Sequence, residues 1–379
     1  MLRIISQRAA GLRYPLFASL TLSFASFGDA YLYPFLPQYA EVMDIPVVWI
    51  GLLLSINRFI RIAFNPVVIN LFARHGVRPV TIAASVMAIV STLGYGLGWG
   101  IISLFLFRII WGMAFAILRI SVLAYAFQHE HIGTSLGIGK AVQEAGPMLA
   151  LWFGPLLLNY FSPSTTFLIL GMVSVPSLLY AISLPDLKYL PPGRIRISFG
   201  WPSLFNSMVF AVSFIIQGVL IIVIGLLLTK NNVYLGNWEV MAVAAGYLAY
   251  RRISFMLFSP ISGAVADWVG IEKVFNFSLL MIVAGLILLL MGWETTGLVM
   301  VFTFNSVNST MAPGGASGNR PDKIKAAAVN AGWRDIGVAT GTLTGGLLLS
   351  GVFLVETFTI AIFIISALLI IHLRKTTTG

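Results

Sequence analysis

The sequence predicts an all-α integral membrane protein of twelve transmembrane helices, arranged as two pseudo-symmetric six-helix bundles. Three observations predict it. Of 379 residues, 58% are hydrophobic and 9% charged, with a mean hydropathy of +0.94; soluble proteins average about 25% charged residues. Apolar stretches recur along the whole chain, each near or above the ~20 residues needed to cross about 30 Å of hydrocarbon. These stretches also stay apolar throughout, whereas strands of a membrane barrel would alternate apolar and polar residues over about ten positions.

The helices are expected at 14–38, 47–72, 78–98, 100–127, 133–160 and 164–184, then at 201–229, 238–266, 273–293, 296–312, 325–350 and 353–373. The first follows the basic lead MLRIISQRAAGLRYP, which lacks a small-residue cleavage site and reads as an uncleaved first helix carrying Asp29. The second holds Arg58 and Arg61 in the run INRFIRIAFNP, and the third follows its basic turn. The fourth contains Arg108 and Arg119, the fifth Lys140 and Glu144, and the sixth no charge. The stretch 185–200, which includes PDLKYLPPGRIRISF, is the most polar interior segment and reads as a cytoplasmic linker between bundles 1–184 and 201–379. In the second bundle the eighth helix carries Arg251 and Arg252, and the eleventh carries Arg334 and Asp335. The tenth runs into NSVNSTMAPGGASG (305–318), unusually polar for a helix, which suits a cavity wall or a mobile inner gate.

The net charge of +10 would suit nucleic acid, but its distribution points to topology instead. Arg3, Arg8, Arg13, Arg74, Arg78, Lys188, Arg194, Arg196, Lys273, Arg320, Lys323, Lys325, Arg374 and Lys375 fall in the termini and even-numbered loops, and only Lys230 in an odd one. The positive-inside rule then puts both termini in the cytoplasm of a cell inner (plasma) membrane protein. The basic excess faces an anionic lipid leaflet, with no nucleic-acid partner expected. The absence of cysteine excludes disulfides, thiolate metal sites and cysteine nucleophiles. His129 and His131 in QHEH lack nearby ligands for a metal site, and no cofactor is implied.

The two halves resemble each other. At an offset of 194, RFIRIAFNP (58–66) lies over RISFMLFSP (252–260), pairing Arg58 with Arg252, Phe64 with Phe258 and Pro66 with Pro260. At an offset of 191, QEAGPMLALWFGPLLL (143–158) lies over RDIGVATGTLTGGLLL (334–349), pairing Glu144 with Asp335, Gly146 with Gly337 and Gly154 with Gly345. Parallel six-plus-six repeats characterise secondary transporters whose substrate site lies at the midplane between halves.

The motifs carry a family resemblance. FGDAYLYPFLPQYA (27–40) is similar to the first-helix signature of drug:proton antiporters, and RIIWG (108–112) to a fourth-helix R-x-x-x-G motif through Arg108 and Gly112. EAGPMLALWFGP (144–155) resembles the fifth-helix antiporter motif through Gly146 and Pro147. GAVADWVG (263–270) keeps a G-x-x-x-D-x-x-G loop element as Gly263, Asp267 and Gly270; its first-half counterpart keeps Arg74, Gly76 and Arg78 but has Ile69 and Ala73 at the glycine and aspartate positions. In order and spacing, the chain resembles the major facilitator superfamily, nearest in motifs to its drug:proton antiporter branch. The resemblance implies a secondary transporter working by alternating access, with these motif residues governing conformation.

Intramembrane ionisable residues default to functional hypotheses. Eight cations are placed in helices, namely Arg58, Arg61, Arg108, Arg119, Lys140, Arg251, Arg252 and Arg334, against the acids Asp29, Glu144 and Asp335. Arg58 and Arg252 occupy repeat-related positions near helix centres, where two guanidiniums form a bidentate clamp for an oxyanion. The superfamily's nitrate/nitrite carriers look similar here. Inter-helix structural pairing is the other reading open for them. Arg61, Arg251 and Arg334 are further substrate-binding candidates. Asp29 is the leading proton carrier, since burial raises a carboxyl pKa and a nearby arginine lowers it; permanent pairing with Arg108 is its alternative. Glu144 and Asp335 share the same two readings, beside Lys140 and Arg334. Arg119 and Lys140 sit toward helix ends and are expected to snorkel to headgroups. Tyr31, Tyr33, Trp111, Trp152 and Trp333 are cavity-lining candidates.

The functional expectation is a monomeric, proton-coupled carrier of a small anionic solute. The alternatives are a drug or metabolite effluxer exchanging for protons, with structural arginines, or a non-transporting receptor or scaffold. An enzyme is not expected: H-E-x-x-H is missing and cysteine is absent.

Overall fold

A computed structural model describes residues 2–39, 45–97, 100–189, 201–231, 237–318, 320–348 and 353–377. Every regular element among them is helical. The first expected span is built from α1 (Leu2–Ala25) and α2 (Phe27–Tyr39), joined at Ser26, whose hydroxyl donates to the Leu22 carbonyl. There follow α3 (Val47–His75), α4 (Val77–Tyr95), α5 (Gly100–Ala126) and α6 (Ile132–Tyr160). The sixth span is split into α7 (Pro163–Val173) and α8 (Pro176–Ile182). The seventh comprises α9 (Leu204–Val212), a π-helical segment Ser213–Leu220 and α10 (Ile221–Asn231). The rest are α11 (Asn237–Val269), α12 (Ile271–Leu290), α13 (Glu294–Ser317), α14 (Lys323–Leu347) and α15 (Leu354–Thr377). Among the described residues, twelve helical spans thus stand where the sequence expects them. The chief difference is α1, which starts at Leu2 rather than 14: hydropathy marks where a span enters lipid, but helix propensity continues beyond that border. Most of the linker, with Arg194 and Arg196, lies outside the described residues.

Local chemistry explains several boundaries. Ser162 and Ser203 accept the Thr165 and Asn206 backbone N–H at the starts of α7 and α9, satisfying donors that a helix start leaves open. Gly76 ends α3 at φ +82° and Gly270 ends α11 at φ +106°, left-handed geometry that glycine adopts without penalty. These two glycines are 194 residues apart, as are Pro66 within α3 and Pro260 within α11. The repeat therefore appears in the backbone as well as in the letters.

Seven spans are long and apolar enough to cross a membrane by length and composition, among the described residues. The spans outside that set are α1 with α2, α6, α11, α13 and α14. Large apolar side chains such as Ile102, Trp152 and Phe363 are more than two-thirds exposed, as lipid-facing positions require. The helices pack as two compact units, Met1–Ser198 with Pro321–Ala328, and Phe199–Arg320 with Val329–Gly379. In the first unit one core gathers around Phe72, Trp111 and Leu118 and another around Leu32, Phe35 and Phe167. The second unit's core surrounds Ile216, Phe275 and Phe302.

Glycines set the tightest contacts in each unit. A Cβ on Gly146 of α6 would lie 2.0 Å from the Ser23 carbonyl oxygen of α1, and the Gly146 N–H donates to the Ser23 hydroxyl at 2.8 Å. A Cβ on Gly341 of α14 would lie 2.2 Å from the Phe214 carbonyl oxygen. The first and fifth spans, and the seventh and eleventh, thus meet backbone to backbone by the same small-residue device.

Candidate functional site

In the first unit the ionisable side chains collect along the seam between α3 and α5. Arg108 of α5 is fully buried and forms an ion pair with Asp29, in the first turn of α2. Its Nε donates to the Leu53 carbonyl at 2.9 Å and its Nη2 to the Leu54 carbonyl at 3.0 Å. The Tyr33 ring lies 5.4 Å from its Cζ, and the Tyr33 hydroxyl donates weakly to the same Leu54 oxygen and accepts from Asn57 Nδ2, both at 3.4 Å. One guanidinium therefore ties three helices together. Gly112, one turn along α5, faces the Asn57 carbonyl, which a Cβ would meet at 3.0 Å.

Arg58 and Arg61 lie within electrostatic reach of the Tyr33 hydroxyl. Arg61 stacks on the Phe115 ring at 4.8 Å, and Arg119 stacks on the same ring at 5.6 Å. Arg119 also donates from Nη2 to Asn65 Oδ1 at 3.4 Å. Arg119 is only 6% exposed, which corrects the expectation that it snorkels to headgroups. Its position along α5 is near the end, but its face of the helix points into the α3 contact, and rotation decides the matter. Lys140 instead pairs with Glu144 one turn on in α6, Nζ to Oε1 at 2.6 Å.

The first-half loop element Arg74, Gly76 and Arg78 lies at the α3–α4 turn. Arg74 sits in the last turn of α3, beside the helix's partial negative charge. Arg78 reaches Asp186 at 3.2 Å and the Ile182 carbonyl at 2.8 Å, while the Val77 N–H donates to the Leu187 carbonyl. Pro147 follows Gly146 inside α6. The second-unit counterparts Gly263, Asp267 and Gly270 lie at the end of α11. A further tie within the first unit joins Tyr189, whose hydroxyl donates to Asp322 at 2.5 Å. Burial, first, and that hydrogen bond hold the Tyr189 phenol above its ordinary pKa.

In the second unit, Arg251 and Arg252 of α11 and Arg334 of α14 are half-buried and engaged by partners, and Asp335 is buried and engaged. The polar run of α13 lies inside this unit. Gln217 donates to Ser309, Ser309 to Asn305, and Asn308 to Ser278; Thr310 pairs with Ser259, and Thr303 with Tyr250. Gln217 belongs to the π-helical segment, a rare geometry common at functional sites. Sequence reasoning missed it, since SFIIQGVL carries no signal for a register change. Of the aromatic candidates, Tyr31 and Trp111 are core residues and Trp152 is 72% exposed, so these three pack or face lipid.

Residues 18–304 match the family model of the Major Facilitator Superfamily. No curated protein matches the sequence. Among solved structures, the chain is similar to the human organic anion transporter MFSD10 (TETRAN), with a TM-score of 0.71 and 14% identity over 95% of this chain and 98% of that one. It is also similar to the transporter FucP in its outward conformation, with a TM-score of 0.72 and 13% identity over 94% and 97%. The proton:xylose symporter XylE gives a TM-score of 0.70 and 12% identity over 97% and 94%. At such identities the likeness concerns the fold.

Proposed function

From the premise that this chain belongs to the Major Facilitator Superfamily, we propose that it carries a small anionic solute across the cell's inner (plasma) membrane, coupled to protons. It works as a monomer with both termini cytoplasmic, by the alternating access typical of repeat-built carriers. One observation carries the reading. Helices α3 and α5 hold Arg58, Arg61, Arg108 and Arg119 at interior positions, with Asp29 on α2 paired to Arg108. Arginines clustered at interior membrane positions suit an anionic solute. In this reading Arg58 and its repeat counterpart Arg252 contact the solute, and Arg61, Arg251 and Arg334 add to the positive field. Asp29 takes up the coupling proton, with Arg108 released or held according to its charge. Glu144 and Asp335 are secondary proton sites.

A second reading, the drug or metabolite:proton antiporter, draws support from the Gly146–Ser23 contact, which seats the fifth-span Gly-Pro element against α1. There the arginines serve structure.

A thermal-shift screen of anionic and cationic metabolites on the purified protein separates the two. The anion reading expects anions to stabilise the protein, and Arg58→Ala and Arg252→Ala to abolish that stabilisation. Unchanged ligand binding in both variants, with cationic lipophiles preferred, supports the antiporter instead.

A further inference from the structure

The Arg108–Asp29 pair has a second layer of contacts. Arg108 directs Nη1 to Asp29, Nε to the Leu53 carbonyl and Nη2 to the Leu54 carbonyl. Two phenols flank the same guanidinium. Tyr33, one turn after Asp29 on α2, holds its ring 5.4 Å from Arg108 Cζ. Tyr95, the last residue of α4, is 2% exposed, and its hydroxyl meets that of Ser91 at 3.2 Å. Both phenol oxygens lie within hydrogen-bonding reach of Arg108. The Tyr33 oxygen is also fixed in place, since it accepts from Asn57 Nδ2 and donates its proton to Leu54. While Asp29 is ionised, the surroundings of Arg108 therefore offer more acceptor oxygens than its own contacts use.

A proton on Asp29 changes that balance. Arginine stays charged, and a buried guanidinium that loses its counter-charge needs other acceptors. A hydroxyl oxygen has two acceptor lone pairs besides its one donor, so each phenol can receive an Arg108 N–H and keep its own proton. We infer that Tyr33 and Tyr95 are positioning residues for proton coupling, whose hydroxyl oxygens take over Arg108 when Asp29 becomes neutral and so hold the protonated state in place. The inference rests on the reading of Asp29 as the proton site and deepens it. The added proton resides on Asp29 alone; elsewhere only hydrogen bonds change partner. The other charges facing this group are Arg58 and Arg61 of α3, both within electrostatic reach of Tyr33. Helices α1, α6 and α7 also pack on α2, and residues 14–26 and 146–173 of those helices include no Asp, Glu, Lys, Arg or His.

The test is an infrared pH titration of the purified full chain, which needs no solute, run from about pH 4 to about pH 10. The protonated-carboxyl band missing from Asp29→Asn belongs to Asp29; Asp29→Asn/Arg108→Leu assigns it should the single variant not fold. In the wild type this band is expected to grow as pH falls within that range. Removing a reserve acceptor penalises only the protonated state. Tyr33→Phe and Tyr95→Phe should therefore each lower the pH of half-titration by about half a unit, and the double variant by about one unit, a tenfold loss of proton affinity. Both substitutions keep the ring and its packing, and if one variant fails to fold the other carries the test. Lower melting temperatures with an unmoved half-titration pH would make the phenols a structural brace and overturn the inference, while Asp29 remained the proton site. An upward move would overturn it in the same way. A wild-type Asp29 band that stays constant across the range would overturn the inference and the proton-site reading together.

Discussion

The Arg108 guanidinium pairs with Asp29 and caps two carbonyls of α3 at the same time, so a single buried charge fastens α2, α3 and α5. Such a pair is costly to break from one side. The arginine left behind stays buried with a net charge, whereas removing both partners removes the problem.

Asp29→Asn should therefore lower stability by about 3–5 kcal/mol, and the double variant Asp29→Asn/Arg108→Leu should recover part of the loss. Thermal unfolding in detergent at neutral pH measures both. Equal stability of Asp29→Asn and wild type would show that Leu53 and Leu54 alone satisfy the arginine.

Glycine substitutions should separate contact from conformation. Gly146→Ala forces a Cβ into the Ser23 carbonyl and should cost about 1–3 kcal/mol. Gly51→Ala, in α3 with nothing within 4 Å of a Cβ, should be neutral or gain up to about 1 kcal/mol from helix propensity. Expression yield and melting temperature of the two variants check the contrast.

The Tyr189–Asp322 contact gives a pH dependence of definite sign. A phenol whose pKa is raised in the folded state holds its proton more tightly when folded. Its stabilisation is fully present below roughly pH 10, the unfolded value, and fades as pH rises from there toward the folded value. Tyr189→Phe should lower the melting temperature at pH 8, and the gap to wild type should narrow above pH 10.

Much of the fold was legible because membrane helices announce themselves by composition. The repeat was legible because special backbone geometry needs special residues: Gly76 and Gly270 bend the chain alike, and Pro66 and Pro260 sit alike in their helices. The site was only half legible. Hydropathy gives depth along a helix but not its rotation, so Arg119 read as a headgroup anchor while its side chain packs on Phe115 and Asn65. The π-helical turn at Ser213–Leu220 packs against Gly341, and no local pattern in SFIIQGVL signals its register change. Conversely, Lys140 and Glu144 were readable as a pair, because four residues on one helix leave them facing each other.

The most direct test of the account is flux in proteoliposomes, using an anion that stabilises the purified protein, with and without an imposed pH gradient. The account predicts that the gradient drives uphill anion movement, that a protonophore abolishes it, and that Asp29→Asn loses the gradient response while retaining solute exchange. Anion flux that ignores the gradient in the wild type, or no flux of any stabilising anion, would contradict it.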